Sequence, residues 1–251
     1  MKKFFAGAVL VCFLIVFFTF KNNISQQTEP SNNMVDTDVV EAENFPTVTF
    51  GTYTYGYVLF RVESPIEIIQ NDLQEDFSVV STRNKCELAV NGGFYTTENE
   101  PLGLVQINDK VVSVRISSTF LDGFLGMDDS NGYVGREPHS DVSNILQSGP
   151  ILIENGAIAP LNIQDDKPSR RSAAIVTDAH ILYFVTLFRN DSRFSGPYLA
   201  DLPSVVMEIA STEGIYVDQA INLDGGSASA IKTSDILLPE FRTVKTIICI
   251  K

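Results

Sequence analysis

The chain has 251 residues, which is enough for one or two domains with a sizeable hydrophobic core. Its 44% hydrophobic and 20% charged residues are typical of a globular protein and exclude a disordered chain. With 31 acidic and 18 basic residues the formal net charge is −13, so the surface would repel nucleic acid and anionic lipid. We therefore expect no nucleic-acid partner, and an anionic substrate would need a local basic pocket.

The first predicted element is an uncharged apolar segment, residues 4–20, which follows Lys2 and Lys3. This order is typical of an export signal, and the length is close to the lower limit for a membrane-spanning helix. Because no small-residue cleavage site follows, we predict a signal anchor over residues 1–21, with the rest of the chain outside the cytoplasm, at the cell surface or in the periplasm. Cleavage of the segment would instead give a secreted protein.

A polar linker is predicted over residues 22–44, which have few large apolar side chains. The domain then covers residues 45–251 and has a formal charge of −11, since residues 1–44 hold three lysines and five acidic residues. Cys86 and Cys249 lie in apolar surroundings, where they could form one disulfide or remain two buried thiols. No spacing of His and Cys residues calls for a metal, so we expect no cofactor, although the acidic domain is compatible with a bound divalent cation.

Most of the domain shows short strand-like runs separated by turn residues. These runs cover residues 47–62, 88–91, 103–116, 149–159, 215–226 and 242–251. Residues 171–189 are predicted to form a hairpin that turns near Asp178. Apolar residues at helical spacing predict one helix within residues 198–214, ended by Gly214. The pattern as a whole predicts a single strand-rich α+β domain with few helices, behind an N-terminal membrane anchor.

Two apolar strands each end in a polar side chain and a Gly-Gly pair. The first reads Asn-Gly-Gly at 91–93, and the second reads Asn-Leu-Asp-Gly-Gly at 222–226. Side chains alternate along a strand, so Asn222 and Asp224 would share one face, and the glycines would permit a bend or the close approach of a ligand. Each place, taken alone, also fits an ordinary turn with a capping side chain.

Arg170 and Arg171 stand at the entry to another apolar strand in this acidic domain. Guanidinium groups suit phosphate oxygens because they donate paired N–H groups. The alternative is that both arginines lie at the surface and form weak ion pairs with Asp165 and Asp166.

Five short segments, taken in chain order, resemble the motifs of the phosphodiester glycosidase domain family. They are VNGGFY (90–95), PLGLVQINDK (101–110), SGPILIENG (148–156), RRSAAIV (170–176) and INLDGGSAS (221–229). The resemblance covers roughly residues 84–251, and it implies a hydrolase that cleaves sugar-1-phosphodiesters, releasing the sugar and leaving a phosphomonoester. Ser227 stands where the family commonly has a third glycine, and residues 188–200 lack the Asp-Gly-Arg stretch of many relatives.

The implied reaction needs a group that assists bond breaking at the anomeric carbon and groups that hold the anionic phosphate. The candidate catalytic residues are Asp224, as the carboxylate, and Asn222, which would orient the substrate. The candidate substrate- and phosphate-binding residues are Asn91, Gly92, Gly93, Arg170, Arg171, Gly225 and Gly226, the glycines through backbone N–H groups. No metal ligand is assigned, and the sequence does not select a second carboxylate from Glu98, Glu100 and Glu154.

These inferences predict an extracytoplasmic, membrane-attached hydrolase of glycosyl-1-phosphodiesters in glycans or envelope polysaccharide. Its partners would be the carbohydrate phosphodiester substrate and the membrane. The alternative is a non-catalytic envelope glycan-binding module with the same fold. The presence of Asn91, Arg171 and Asp224 together favours the enzyme, because a binding module does not need the carboxylate. A purely structural role would leave the two polar strand ends without a purpose.

Overall fold

The computed structural model describes residues 45–251, so the predicted signal anchor and linker lie outside the described residues. In this part of the chain no helix is both long and apolar enough to cross a membrane. Seventeen strands and two α-helices are formed by the described residues. The strands are β1 (Thr47–Phe50), β2 (Tyr53–Arg61), β3 (Ile66–Gln70), β4 (Leu88–Asn91), β5 (Val105–Ile107), β6 (Lys110–Ser113), β7 (Gly123–Asp128), β8 (Asn131–Gly135), β9 (Asn144–Ser148), β10 (Ile151–Glu154), β11 (Ala157–Ile158), β12 (Arg171–Val176), β13 (Leu182–Arg189), β14 (Gln219–Asn222), β15 (Ile231–Lys232), β16 (Leu237–Leu238) and β17 (Thr246–Ile250). The helices are α1 (Phe77–Arg83) and α2 (Leu202–Glu213).

The strands form three antiparallel sheets. The first has the order β1-β2-β13-β12-β14-β10-β11, the second β16-β15-β4-β17-β3, and the third β6-β5-β9-β7-β8. The predicted hairpin is confirmed as β12 and β13, whose register runs from Arg171 opposite Leu187 to Val176 opposite Leu182. Within residues 45–251 the fold is therefore a strand-rich α+β domain with few helices, as predicted.

The predicted helix is confirmed as α2. It has Pro203 in its first turn, where the missing N–H is tolerated, and it ends at Gly214 in the left-handed conformation with φ 69°. Its buried side chains pack on one face of the first sheet. This layer of the core includes Leu202, Val205, Val206 and Ile209 from α2, and Tyr57, Ala173, Ile175, Val185 and Leu187 from the sheet.

The opposite face of the first sheet packs against the other two sheets and forms the central core. This layer includes Val58, Phe60, Ala174, Phe184 and Ile221 from the first sheet, Ile68, Val90 and Ile248 from the second, and Leu125, Met127 and Leu146 from the third. The ends of β4 and β14 meet where the first and second sheets come together, because Asn91 at the end of β4 is hydrogen-bonded to the residues that follow β14.

Helix α1 was not predicted from the sequence. Phe77 and Val80 on this seven-residue helix are fully buried, and they pack on the outer face of the second sheet beside Cys86 and Cys249. The two cysteines form a disulfide with a Cα–Cα distance of 5.3 Å, which settles the choice that the sequence left open. The disulfide joins the turn before β4 to β17, and both strands lie next to each other in the second sheet.

Candidate active site

Asn91 holds the two Gly-Gly segments together. Its Nδ2 donates to the backbone carbonyls of Asp224 at 2.7 Å and Gly92 at 3.2 Å, and its Oδ1 accepts the N–H of Ala230 at 3.1 Å. The side chain is completely buried. The amide therefore makes its hydrogen bonds within the chain, and Asn91 fixes the backbone of Asp224 instead of facing a ligand.

Gly92 allows the end of β4 to approach β17 closely. A Cβ on Gly92 would lie 2.3 Å from Oγ1 of Thr246, a distance that a side chain cannot accept. The N–H of Gly92 donates to the carbonyl of Thr246 at 2.8 Å, and the N–H of Gly93 donates to its hydroxyl at 3.1 Å. Both N–H groups are used inside the domain, so the structure does not support the expected anion contacts from them.

Gly225 and Gly226 form a closed turn after Asp224. The N–H of Gly225 donates to Oδ1 of Asp224 at 2.8 Å, and the N–H of Gly226 donates to the carbonyl of Arg170 at 2.7 Å. Gly226 has φ +62°, which favours glycine. These two N–H groups are also occupied, and the turn serves to set the carboxylate and to join it to the Arg170 segment.

The side chain of Asn222 is buried in the domain and does not share an exposed face with Asp224. Strand β14 ends at Asn222, so the alternation of side chains on which the shared face was predicted does not extend to Asp224. The amide is buried, with Nδ2 donating to the carbonyl of Gly149 at 2.8 Å, and Oδ1 has no partner among the described residues. The structure therefore places the side chain of Asn222 in the interior, where it supports the chain before β10.

The two adjacent arginines occupy different environments. Arg170 is buried and donates through Nη2 to two backbone carbonyls, and burial lowers its pKa to about 10, with Glu240 opposing the shift. Arg171 is half-buried and pairs with Asp166 at 3.3 Å; burial also lowers the pKa of Arg171, and Asp166 opposes that shift. Nη1 of Arg171 makes no hydrogen bond with a described residue, and it would lie 3.7 Å from a Cβ on Gly225. This nitrogen therefore lies beside the Gly225 turn, although Arg171 does not itself line the cleft that contains Asp224.

A cleft of about 450 Å³ lies beside the Gly225–Gly226 turn, and we call it the Asp224 cleft. Its lining is rich in hydroxyl and amide groups. The lining residues are Gln74, Tyr95, Thr96, Thr97, Asn99, Asp224, Gly225, Ser227, Ala228, Arg242 and Thr243. Such a surface suits a ligand with many hydroxyl groups, because each buried polar group needs a hydrogen-bond partner.

Asp224 is the only carboxylate among the described residues that line this cleft. Burial raises its pKa from 3.8 to about 7, and the hydrogen bond from Gly225 opposes the shift only in part. No described basic residue forms an ion pair with it. A carboxyl group of this kind carries a proton for a large fraction of the time near neutral pH, as a general acid requires.

The sequence did not identify Arg242 and Tyr95. Arg242 is the only basic side chain among the described residues that line the cleft, and it takes no part in the ion pairs of residues 45–251. Its N–H donates to the carbonyl of Ser227 at 3.0 Å, which sets it beside the turn. Tyr95 lies near Asp224; burial first, and then the negative charge of Asp224, raise its pKa. The only sequence signal for Arg242 was a basic residue in an acidic domain.

The candidate second carboxylates do not enter the cleft. Glu154 pairs with Arg136 at 2.9 Å, and Glu98 accepts a hydrogen bond from the hydroxyl of Thr97 at 2.8 Å in an exposed loop. Glu100 follows in the same loop and does not line the cleft. Within residues 45–251 no group of three His, Cys, Asp or Glu side chains is arranged to hold a metal ion.

The family profile described as phosphodiester glycosidase matches residues 84–251. No curated protein matches the chain significantly.

Three solved structures share its fold at low identity. A hypothetical protein from Synechocystis has a TM-score of 0.63 and 13% identity over 82% of this chain and 61% of its own. The zebrafish N-acetylglucosamine-1-phosphodiester alpha-N-acetylglucosaminidase catalytic domain, auto-inhibited by its pro-peptide, has a TM-score of 0.62 and 16% identity over 82% and 81% of the two chains. A putative exported protein from Burkholderia pseudomallei has a TM-score of 0.57 and 11% identity over 79% and 74%.

The profile match covers the glycine segments, both adjacent arginines, Asp224 and Arg242, and it confirms the resemblance seen in the motifs. The three structures show that the fold recurs at identities of 11–16%, and the chain spans 61% of the length of the Synechocystis protein. The chain belongs to the phosphodiester glycosidase family.

Proposed function

We propose that the protein hydrolyses glycosyl-1-phosphodiesters in extracytoplasmic glycans or envelope polysaccharide, with Asp224 as the group that supplies the proton. The observation that carries this proposal is the carboxyl group with a pKa of about 7 in a cleft lined by hydroxyl groups and by Arg242. Family membership supports the reaction class, and the name of the zebrafish relative describes an enzyme that acts on a sugar phosphodiester.

The reaction replaces the bond from the anomeric carbon to the phosphate oxygen with a bond to water oxygen. Protonated Asp224 donates its proton to the bridging oxygen as that bond breaks, and the bonding electrons leave with the phosphomonoester. Water adds to the anomeric carbon and returns one proton to Asp224, so the products are the free sugar and the phosphomonoester. Phosphate is a fairly good leaving group, so one carboxyl group is sufficient.

The phosphate lies against two guanidinium groups in this proposal. Arg242 meets it in the cleft, which it lines, and Nη1 of Arg171 lies beside the Gly225 turn, 3.7 Å from the position of a Cβ on that glycine. Paired N–H groups match phosphate oxygens, and both groups act in a domain whose net charge would otherwise repel an anion. Asn91 acts as a positioning residue that holds the backbone of Asp224.

The test is the release of free sugar from a glycosyl-1-phosphodiester by the full-length protein, measured as a function of pH. We expect kcat/KM to stay level at low pH and to fall about tenfold per pH unit above about pH 7, because deprotonated Asp224 has no proton to donate. Activity that rises through pH 7 would instead make Asp224 a base. Binding without any turnover would favour the glycan-binding module.

Arg242→Ala and Arg171→Ala are expected to raise KM by about tenfold or more, because each removes a charged hydrogen-bond donor from the phosphate. Lysine at either position should restore only part of the loss, since an ammonium group cannot reproduce the guanidinium fork. Arg136→Ala is the matched control, because Arg136 pairs with Glu154 and Asp122 outside the cleft. Unchanged KM values in both arginine variants would contradict the proposed phosphate position.

The same proposal places the domain outside the cytoplasm and attaches it to the membrane through residues 1–21. The disulfide between Cys86 and Cys249 supports an oxidising compartment. The uncharged apolar residues 4–20 after two lysines support export.

A further inference from the structure

Two exposed phenylalanines contact each other beside the Asp224 cleft. Phe194 lies in the loop after β13, and Phe241 lies between β16 and β17; their ring centroids are 4.5 Å apart at an angle of 65°. The exposed fractions of the two residues are 64% and 58%. We call this pair the aromatic platform. Two neighbouring aromatic rings that stay in water commonly mark a binding surface.

The aromatic platform is tied to the cleft by backbone hydrogen bonds. The N–H of Phe241 donates to the carbonyl of Ser227 at 2.7 Å, and Ser227 lines the cleft. The guanidinium of buried Arg170 lies over the Phe241 ring, 5.9 Å from its centroid, and two backbone carbonyls hold that guanidinium. The protein therefore covers one face of the Phe241 ring, fixes its direction, and leaves much of the ring exposed.

A second hollow next to the Asp224 cleft gives the direction in which a substrate would extend. Asp224 and Arg242 both line the cleft, and Phe241 immediately precedes Arg242 in the chain. A second hollow of about 230 Å³ includes Phe241 and shares Thr243 with the Asp224 cleft. A substrate with its scissile bond at Asp224 and its phosphate at Arg242 would continue toward the platform.

We propose that Phe194 and Phe241 bind a pyranose ring of the aglycone, the group on the far side of the phosphate from the bond that breaks. This inference rests on the function proposed above. A pyranose ring presents a face of C–H groups that packs well on an aromatic ring, with its hydroxyl groups at the edge left in water. Asp76 and Glu240 also line the second hollow, so an uncharged sugar fits there better than a second phosphate.

The test compares two glycosyl-1-phosphodiesters that share the glycosyl phosphate and carry either a methyl group or a pyranose as the aglycone. Phe241→Ala and Phe194→Ala in the full-length protein should lower kcat/KM for the pyranosyl compound by about three- to tenfold, through KM, and leave the methyl compound unchanged. Tyr216→Ala is the control, because Tyr216 is 67% exposed and precedes β14 at the end opposite Asp224.

A calorimetric titration with the same two compounds measures binding independently of turnover. If neither compound is turned over, the proposed function is rejected. The platform is still supported if the wild type binds the pyranosyl compound more tightly than the methyl compound and the phenylalanine variants lose this preference. The proposal would be overturned if the preference for the pyranosyl over the methyl compound, in kcat/KM and in affinity, were the same in wild type and in both variants. A change in self-association of the variants, measured by sedimentation, together with an unchanged ratio between the two compounds would also overturn it. The platform would then bind a second copy of the chain.

Discussion

Replacing Asp224 with asparagine is expected to lower kcat by about three orders of magnitude while KM changes little. The amide keeps the shape of the side chain and can still accept the N–H of Gly225, but it has no acidic proton to give to the leaving oxygen. Asp218→Asn is the matched control, because Asp218 precedes β14 at the strand end away from the cleft. Initial rates of sugar release from a glycosyl-1-phosphodiester measure both variants. Full activity in Asp224→Asn would contradict the role proposed for Asp224.

The same variant should be more stable than the wild type above neutral pH. The folded pKa of about 7 is higher than the ordinary value of 3.8, so the carboxyl group favours the folded state when it is protonated. That contribution is complete below about pH 4 and is lost as the pH rises through 7. Asp224→Asn lacks this loss, and its melting temperature should exceed that of the wild type at pH 8 but not at pH 4. This pattern separates loss of chemistry from loss of folding.

Removal of the disulfide is expected to lower the free energy of unfolding by up to about 5 kcal/mol, because its two cysteines are 163 residues apart in sequence. This is a large share of the stability of an ordinary domain, about 5–15 kcal/mol. The measurement is the urea midpoint of Cys86→Ser/Cys249→Ser and of the wild type with and without reductant.

Cys12→Ser is the control for the loss of a cysteine as such, since Cys12 takes no part in this disulfide. Its urea midpoint should equal that of the wild type. The prediction would be contradicted by a wild-type midpoint that reductant leaves unchanged. It would also be contradicted by ready alkylation of Cys86 in the folded, unreduced protein.

The local elements of the fold could be predicted from the sequence because their signals are local. The β12–β13 hairpin follows from two apolar runs around Asp178, and α2 follows from apolar spacing and Gly214. Helix α1 has only seven residues, and the N–H of Phe77 is capped by Glu240 from a distant part of the chain. A local sequence pattern could not predict this helix, because its first turn depends on Glu240, which is distant in the sequence.

Of the residues that line the Asp224 cleft, the sequence singled out only those that lie in a motif. Asp224 stood out because a carboxylate before two glycines is a recognisable pattern. Arg242 has no motif around it and reaches the cleft through hydrogen bonds of residues 241 and 242 to Ser227, a tertiary contact. Asn91 and Asn222 were expected to face a ligand, and both are buried. Whether a polar side chain at a strand end turns outward or bonds the backbone depends on its neighbours in space.

The Gly92–Gly93 bend beside the candidate site depends on β17, which lies between β3 and β4 in the second sheet. β17 pairs with β4 across more than half of the sequence, and Thr246 at its start holds the Gly92–Gly93 bend through its backbone and its hydroxyl. Until β17 is synthesised and pairs with β4, one edge of β4 is open. The backbone of Asn91, whose side chain holds the backbone of Asp224, then lacks its partner strand. Contacts of such long range form slowly. A growing chain can therefore hold most of its strands before the surroundings of Asp224 are complete.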